Sequence, residues 1–94
     1  MEEKMGILLA VRTALRVTTD AFDAELNDLI EAALLDLGRA GVVNYDTEDP
    51  LVRRAVITYC RLHFGQPDDF DRLKRSYDEQ KAQMSMATGY TNWG

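Results

Sequence analysis

The apolar residues between Phe22 and Leu37 constrain the fold most, because they recur at intervals of three and four residues. That spacing places them along one side of an α-helix of about four turns. Two glycines in the GRAG sequence that follows predict the end of this helix. The stripe consists of Phe22, Leu26, Leu29, Ile30, Ala33 and Leu37.

Three further segments carry helical patterns. The first runs from Gly6 to Leu15, with Leu8, Val11 and Leu15 on one face. The third starts at Pro50 with Asp49 as its cap, ends at Gly65, and presents Val52, Ala55, Val56, Tyr59, Cys60 and His63. The fourth has Asp68 as its cap and a sparse face of Phe70, Leu73, Tyr77 and Met84. Asp20 is expected to cap the second helix, and VVNYDTEDP is expected to form a loop.

These patterns predict an all-α protein, a compact bundle of about four helices with a flexible C-terminal arm. We place the helical domain at residues 1–84 and the arm at residues 85–94. The fourth helix has few apolar residues, so we expect it to lie on the surface of the other three.

Composition restricts the class of protein. The chain has 94 residues, of which 46% are hydrophobic and 29% charged, as expected for one small globular domain. Its net charge of −5 argues against a protein whose main task is to grip phosphate backbones. We predict neither a membrane span nor a secretion signal, and the single cysteine precludes an internal disulfide.

Few residues suggest catalysis or metal binding. Cys60 and His63 lie three residues apart on one helix face. This spacing suits half a metal site or a thiol with a nearby base, but the better interpretation is that both side chains face the core. Asp68, Asp69 and Asp71 lack the glycine and late glutamate of a calcium loop, so helix capping accounts for them. We therefore expect no enzymatic activity, no metal and no cofactor.

Basic residues along the last two helices form the next candidate surface. Acids interleave with the group on the fourth helix, which favours a solvated helix face with intrahelical ion pairs over a nucleic-acid site. Arg53 and Arg54 differ, because in the first turn of the third helix they oppose the helix dipole, which marks them as candidates for binding a partner. The basic set is Arg53, Arg54, Arg61, Arg72, Lys74 and Arg75.

The C-terminal residues supply the remaining candidates. Tyr90 and Trp93 are aromatic anchors on an arm of small residues, and Met84 and Met86 suit an adaptable interface. The alternatives are that the aromatics fold back over the fourth helix or belong to a disordered end, and that the methionines fill the core.

The order of several short motifs, from about Ile7 to Tyr90, resembles the small head–tail connector proteins of tailed bacteriophages. The early helix ends in a Leu-Arg-Val step, the second in an AA..DL..AG pattern, the third in an A…Y….FG pattern, and the fourth contains a Ser-Tyr pair. The matching residues are Leu15, Arg16, Val17, Ala32, Ala33, Asp36, Leu37, Ala40, Gly41, Ala55, Tyr59, Phe64, Gly65, Ser76 and Tyr77.

The resemblance implies an all-α subunit that assembles as a ring of about a dozen copies beneath the portal protein. Such a ring extends the DNA channel and docks the next tail-completion protein, with DNA only as passing cargo. It implies a place at the head–tail interface of the virion, and in the host cytoplasm during assembly. The residues alone leave two alternatives open: a small helical adaptor that dimerises, and, less favoured, a helix-turn-helix DNA-binding regulator.

Overall fold

The structure, a computed structural model, describes residues 2–42, 46–65 and 67–86, with side chains from Gly6 onward. Within these residues four α-helices follow one another: α1 (Glu2–Leu15), α2 (Asp23–Arg39), α3 (Pro50–His63) and α4 (Phe70–Met86). The described residues contain no strand, so the predicted all-α fold is confirmed. The molecule is flattened, with principal extents of 43 × 33 × 18 Å.

The central element is α3, which packs against each of the other three helices. Its buried residues interlock with the predicted stripe of α2 and with Ile7 and Val11 of α1. Cys60 lies within this core as a small apolar residue. The core members are Ile7, Val11, Leu26, Ile30, Ala33, Leu37, Val42, Val52, Ala55, Val56, Cys60, Tyr77 and Met84.

Two helices end in the same hydrogen-bond pattern, the Schellman motif. At the end of α1, the Val17 amide donates to the Arg12 carbonyl and the Arg16 amide to the Thr13 carbonyl. The end of α2 repeats this pattern around Gly41, whose φ of +93° lies in the left-handed region that the motif requires. Arg16 adopts the same region with φ of +59°, which is unfavourable for a residue with a Cβ atom.

The start of α2 differs from prediction. Phe22, not Asp20, occupies the N-cap position, and no side chain caps the helix there. Asp23 supplies the expected first-turn negative charge and binds Arg12 of α1 through two hydrogen bonds of 2.8 Å. Because Phe22 precedes the helix, it misses the buried stripe and packs edge-on against Phe64, with 44% of its surface exposed.

The predicted start of α3 is confirmed. The Asp49 carboxylate accepts hydrogen bonds from the amides of Leu51 and Val52, and Pro50 occupies the first helical position. The helix ends at His63, and Gly65 just beyond it has φ of +75°. Val42 and residues 46–49 of the predicted loop form no helix or strand, Pro50 begins α3, and residues 43–45 lie outside the described residues.

The bounds of α4 are shifted at both ends. It begins at Phe70, and the Asp69 carbonyl accepts from the Leu73 amide, so Asp69 takes the capping position predicted for Asp68. At the other end α4 includes Ser85 and Met86, two residues past our predicted domain boundary, because no glycine or proline interrupts the helix there. Leu73, Tyr77 and Met84 are buried as expected from the sparse face. Phe70, at the first position of the helix, remains 45% exposed.

The left-handed residue at each Schellman motif yields a stability prediction. Arg16→Gly should raise the free energy of unfolding by about 0.5–1 kcal/mol, because glycine relieves the Cβ strain at φ of +59°. Gly41→Ala should lower it by about 1 kcal/mol for the opposite reason. Urea unfolding followed by circular dichroism measures both, and a destabilised Arg16→Gly protein would contradict the account.

Candidate functional site

A cleft of about 290 Å³ lies between the start of α3 and the C-terminal half of α4. It brings together Arg54 and Met84, which the sequence indicated separately as partner-binding candidates. Both helices contribute to the walls, so the cleft depends on how α4 packs along α3. The lining residues are Leu51, Arg54, Gln80, Gln83 and Met84.

Three of these residues have side chains that lack a hydrogen bond, an ion pair or full burial within the described part of the chain. The Gln80 side-chain oxygen is buried and accepts no hydrogen bond, which is unfavourable unless a further donor reaches it. The Arg54 guanidinium forms no ion pair with the described residues. Leu51 exposes 49% of its surface. An apolar surface beside an unpaired cation and an unused acceptor suits contact with another protein.

The predicted partner-binding residues have different surroundings. Met84 is buried and fills the core beneath the cleft, the alternative that its spacing allowed, whereas Met86 is 77% exposed at the end of α4. Arg53 is held within the chain, because its guanidinium donates to the Glu48 carboxylate at 2.7 Å and to the Thr47 carbonyl at 3.1 Å. Of the two arginines in the first turn, Arg54 is thus the one available to a partner. Tyr90 and Trp93 lie outside the described residues.

A hydrogen-bonded cluster on the Asp36 carboxylate joins α4 to α2. The Tyr77 hydroxyl donates to Asp36 at 2.6 Å, the Lys81 ammonium donates to the same oxygen at 3.0 Å, and the ammonium also lies 5.1 Å from the Tyr77 ring centre. Partial burial by itself raises the pKa of Asp36, but the hydrogen bonds and the Lys81 charge outweigh it and lower the pKa. Burial, followed by the bond to Asp36, raises the pKa of Tyr77.

The aromatic residues of α3 extend this cluster. The Tyr59 ring lies 5.4 Å from that of Tyr77 and 4.3 Å from the imidazole of His63. Burial and the nearby Asp36 charge raise the pKa of Tyr59. His63 is exposed, so the expectation that it faces the core with Cys60 is wrong: as the last residue of α3, four residues after Tyr59, it stacks on that ring instead.

Chemistry based on Cys60 finds no support in the described residues. Burial raises the pKa of the Cys60 thiol to about 12, so the thiol stays protonated and unreactive at neutral pH. Among the residues whose placement is described, no three histidine, cysteine or acidic side chains are grouped to hold a metal. A search of the same residues finds no helix long and apolar enough to cross a bilayer.

The basic residues of α4 form the predicted intrahelical ion pairs. Arg72 binds Asp69 one turn earlier, and Lys74 binds Asp78 at 2.9 Å. The hydrogen bond from Arg72, more than any other effect, lowers the pKa of Asp69. Arg72 and Lys74 thus belong to a solvent-exposed helix face on which neighbouring acids pair with the cations, as expected from the interleaved charges.

A comparison with protein families matches residues 7–91 to the phage connector protein family. The chain belongs to that family. The resemblance inferred from the sequence is thereby confirmed. No curated protein and no solved structure matched the chain. Three residues of the motifs that carried the resemblance, Asp36, Tyr59 and Tyr77, form the cluster that joins α2, α3 and α4.

Removing one hydroxyl tests whether this cluster holds α4 in place. Tyr77→Phe in the connector should lower the free energy of unfolding by about 1–2 kcal/mol, because Asp36 loses a charge-assisted hydrogen bond while the ring still packs. The matched control is Lys74→Gln, which breaks an exposed ion pair on the same helix and should change stability by at most about 0.5 kcal/mol. Equal effects in chemical unfolding would contradict a special role for Tyr77.

The lowered pKa of Asp36 gives a pH dependence with a defined sign. A carboxyl whose folded-state pKa lies below its unfolded value near 3.8 contributes stability above that value and loses it as the pH falls through the folded pKa. The stability difference between the natural connector and Asp36→Asn should therefore stay constant above about pH 5 and shrink below about pH 4. Unfolding curves at several pH values measure this difference, and one that grew on acidification would refute the assignment.

Proposed function

We propose that this connector assembles as a ring of about a dozen copies beneath the portal protein, extends the DNA channel and docks the next tail-completion protein. The observation that carries the proposal is the family match over residues 7–91. The fold supports it, because a flat all-α subunit with unsatisfied groups beside an open cleft suits repeated protein contacts. In this role the protein acts by assembly at the head–tail interface of the virion, after folding in the host cytoplasm, and uses no cofactor.

The charge of the subunit suits a channel through which DNA passes. The net charge is −5, and an acidic lumen repels phosphate, so DNA moves through as cargo without adhering. The exposed cations of α4 that are paired with neighbouring acids add little attraction for nucleic acid.

The C-terminal arm is the proposed contact with the portal. Its first two residues, Ser85 and the exposed Met86, end α4, and the residues beyond include Tyr90 and Trp93. Aromatic anchors bury a large area at modest entropic cost, so a short arm with two of them supplies an effective hot spot.

Truncation after Met86 tests the role of the arm. Removal of residues 87–94 keeps all four helices, so the circular dichroism spectrum and the melting temperature should stay close to those of the full chain. Binding to the portal protein of the same phage or prophage should be lost, because both aromatic anchors are removed. Mass photometry of portal mixtures measures binding, and negative-stain imaging shows whether rings cap the portal.

The matched control is the full chain with Tyr90→Ala and Trp93→Ala, which keeps the length of the arm and should lose most of the portal binding. Portal binding by the truncated protein at the level of the full chain would refute the role of the arm. A full-length protein that remains a compact monomer or dimer and ignores the portal would refute the connector ring and favour a stand-alone helical adaptor.

A further inference from the structure

One face of α3 is basic along its whole exposed length. Leu51, Arg54, Thr58 and Arg61 recur at intervals of three and four residues, and all but the partly buried Thr58 are exposed. We call these four residues the α3 stripe. The helix contains three arginines and no acid, and neither Arg54 nor Arg61 forms an ion pair with the described residues. The stripe is thus a row of positive charge with one leucine at its N-terminal end.

The exposed face of α2 has the opposite charge. Ala24, Asp28, Glu31 and Leu35 follow the same spacing and are all exposed, with Leu35 at 68%. These residues form the α2 stripe, and Glu25 is exposed at its edge. The helix contains five acids and a single arginine. Leu35 is the most exposed leucine among the described residues, and it ends a row of negative charge.

The two stripes of one molecule face different directions. The buried residues of α2 alternate with its stripe along the helix, and they pack toward α3, so the α2 stripe points away from α3. The α3 stripe runs beside the cleft shared with α4 at one end, and beside Leu15 and Phe64 near Arg61 at the other. One molecule therefore cannot bring its own two stripes together, whereas it can present both at once to two neighbours.

We propose that the α2 stripe of one copy docks antiparallel on the α3 stripe of the next. Ten residues separate Leu35 from Glu25, and ten separate Leu51 from Arg61, so both stretches span roughly 15 Å of helix. In the antiparallel register Leu35 meets Leu51, Asp28 lies between Arg54 and Arg61, and Glu25 meets Arg61. Beyond the leucine pair, opposite charges then face one another, which favours this partner and this register.

The cleft at the start of α3 receives Leu35. An exposed leucine is a suitable occupant, because Leu51 and Met84 offer it apolar contact and about 290 Å³ is open. Leu35 adjoins the acidic part of its stripe just as Leu51 adjoins Arg54, so insertion of the leucine and pairing of the charges reinforce each other. Leu35 is therefore the apolar anchor of the contact, and the charged residues form its rim.

This contact joins two different surfaces, so repeated copies form a closed ring or an open filament, according to the rotation between neighbours. The inference rests on the proposed ring and assigns its subunit interface. It leaves the C-terminal arm available for the portal.

Charge reversal tests the interface in the full chain. One variant carries Arg54→Glu and Arg61→Glu, and a second carries Glu25→Lys and Asp28→Lys. Each alone should weaken self-association on the order of a hundredfold, because like charges then face one another. An equimolar mixture of the two variants should restore assembly. The unchanged acidic α2 stripe of the first variant can dock on the unchanged basic α3 stripe of the second, and the reversed α2 stripe of the second variant can dock on the reversed α3 stripe of the first.

Matched controls separate this interface from general charge effects. Arg72→Glu with Arg75→Glu makes the same change in net charge on α4, outside both stripes, and should assemble as the natural connector does. Leu35→Ala, at a residue too exposed to matter for folding, should weaken association on the order of tenfold. Circular dichroism checks that every variant is folded, and mass photometry with and without the portal protein measures assembly.

The outcomes distinguish the interface from the function. If the natural connector forms rings and the reversed variants assemble equally well, or if their mixture fails to recover, the α2–α3 contact is refuted while the connector ring stands. If the natural connector forms no assembly, alone or on the portal, both the ring and its proposed interface are refuted.

Discussion

The hydrogen bonds that Asp36 accepts add a polar link to the apolar packing that holds α4 on the bundle. This helix buries only three side chains, Leu73, Tyr77 and Met84, which is little apolar area for a helix of 17 residues. The bonds from Tyr77 and Lys81 attach it to α2, while its apolar residues pack along α3. The same helix supplies Gln80, Gln83 and Met84 to the cleft, so the shape of that cleft depends on how α4 packs.

Most of the fold could be predicted because helix periodicity and helix capping are local properties of the chain. The four helices, the Asp49–Pro50 start and the core residues of α2 followed from spacings within a few residues. The errors lie at the ends of helices. Phe22 continues the stripe in sequence, yet it lies before the helix and meets Phe64 instead. Helical spacing places His63 on the same face as Cys60, but α3 ends at His63 and the imidazole packs against the Tyr59 ring.

Less of the candidate site could be predicted, since its parts come together only through the tertiary fold. The sequence indicated Arg54 and Met84, but their meeting at one cleft depends on how α4 lies along α3. Nothing in the sequence distinguishes Gln80 from other surface glutamines, and Asp36 lies 41 residues from the hydroxyl that binds it. For Asp36, Tyr59 and Tyr77 the available signal was the family resemblance, whose motifs contain all three.

The net charge of the chain does not show how charge is distributed between α2 and α3, and the proposed contact depends on that distribution. A value of −5 describes an acidic protein, yet α2 contains five acids and one arginine, whereas α3 contains three arginines and no acid. A protein that associates head to tail needs two complementary surfaces that cannot meet within one molecule, and segregating charge between two helices with outward faces provides them. An even mixture of the same charges would give equal solubility and no preferred register. In the proposed α2–α3 contact, the distribution of charge over the helices, rather than its sum, therefore selects the neighbouring copy and the register.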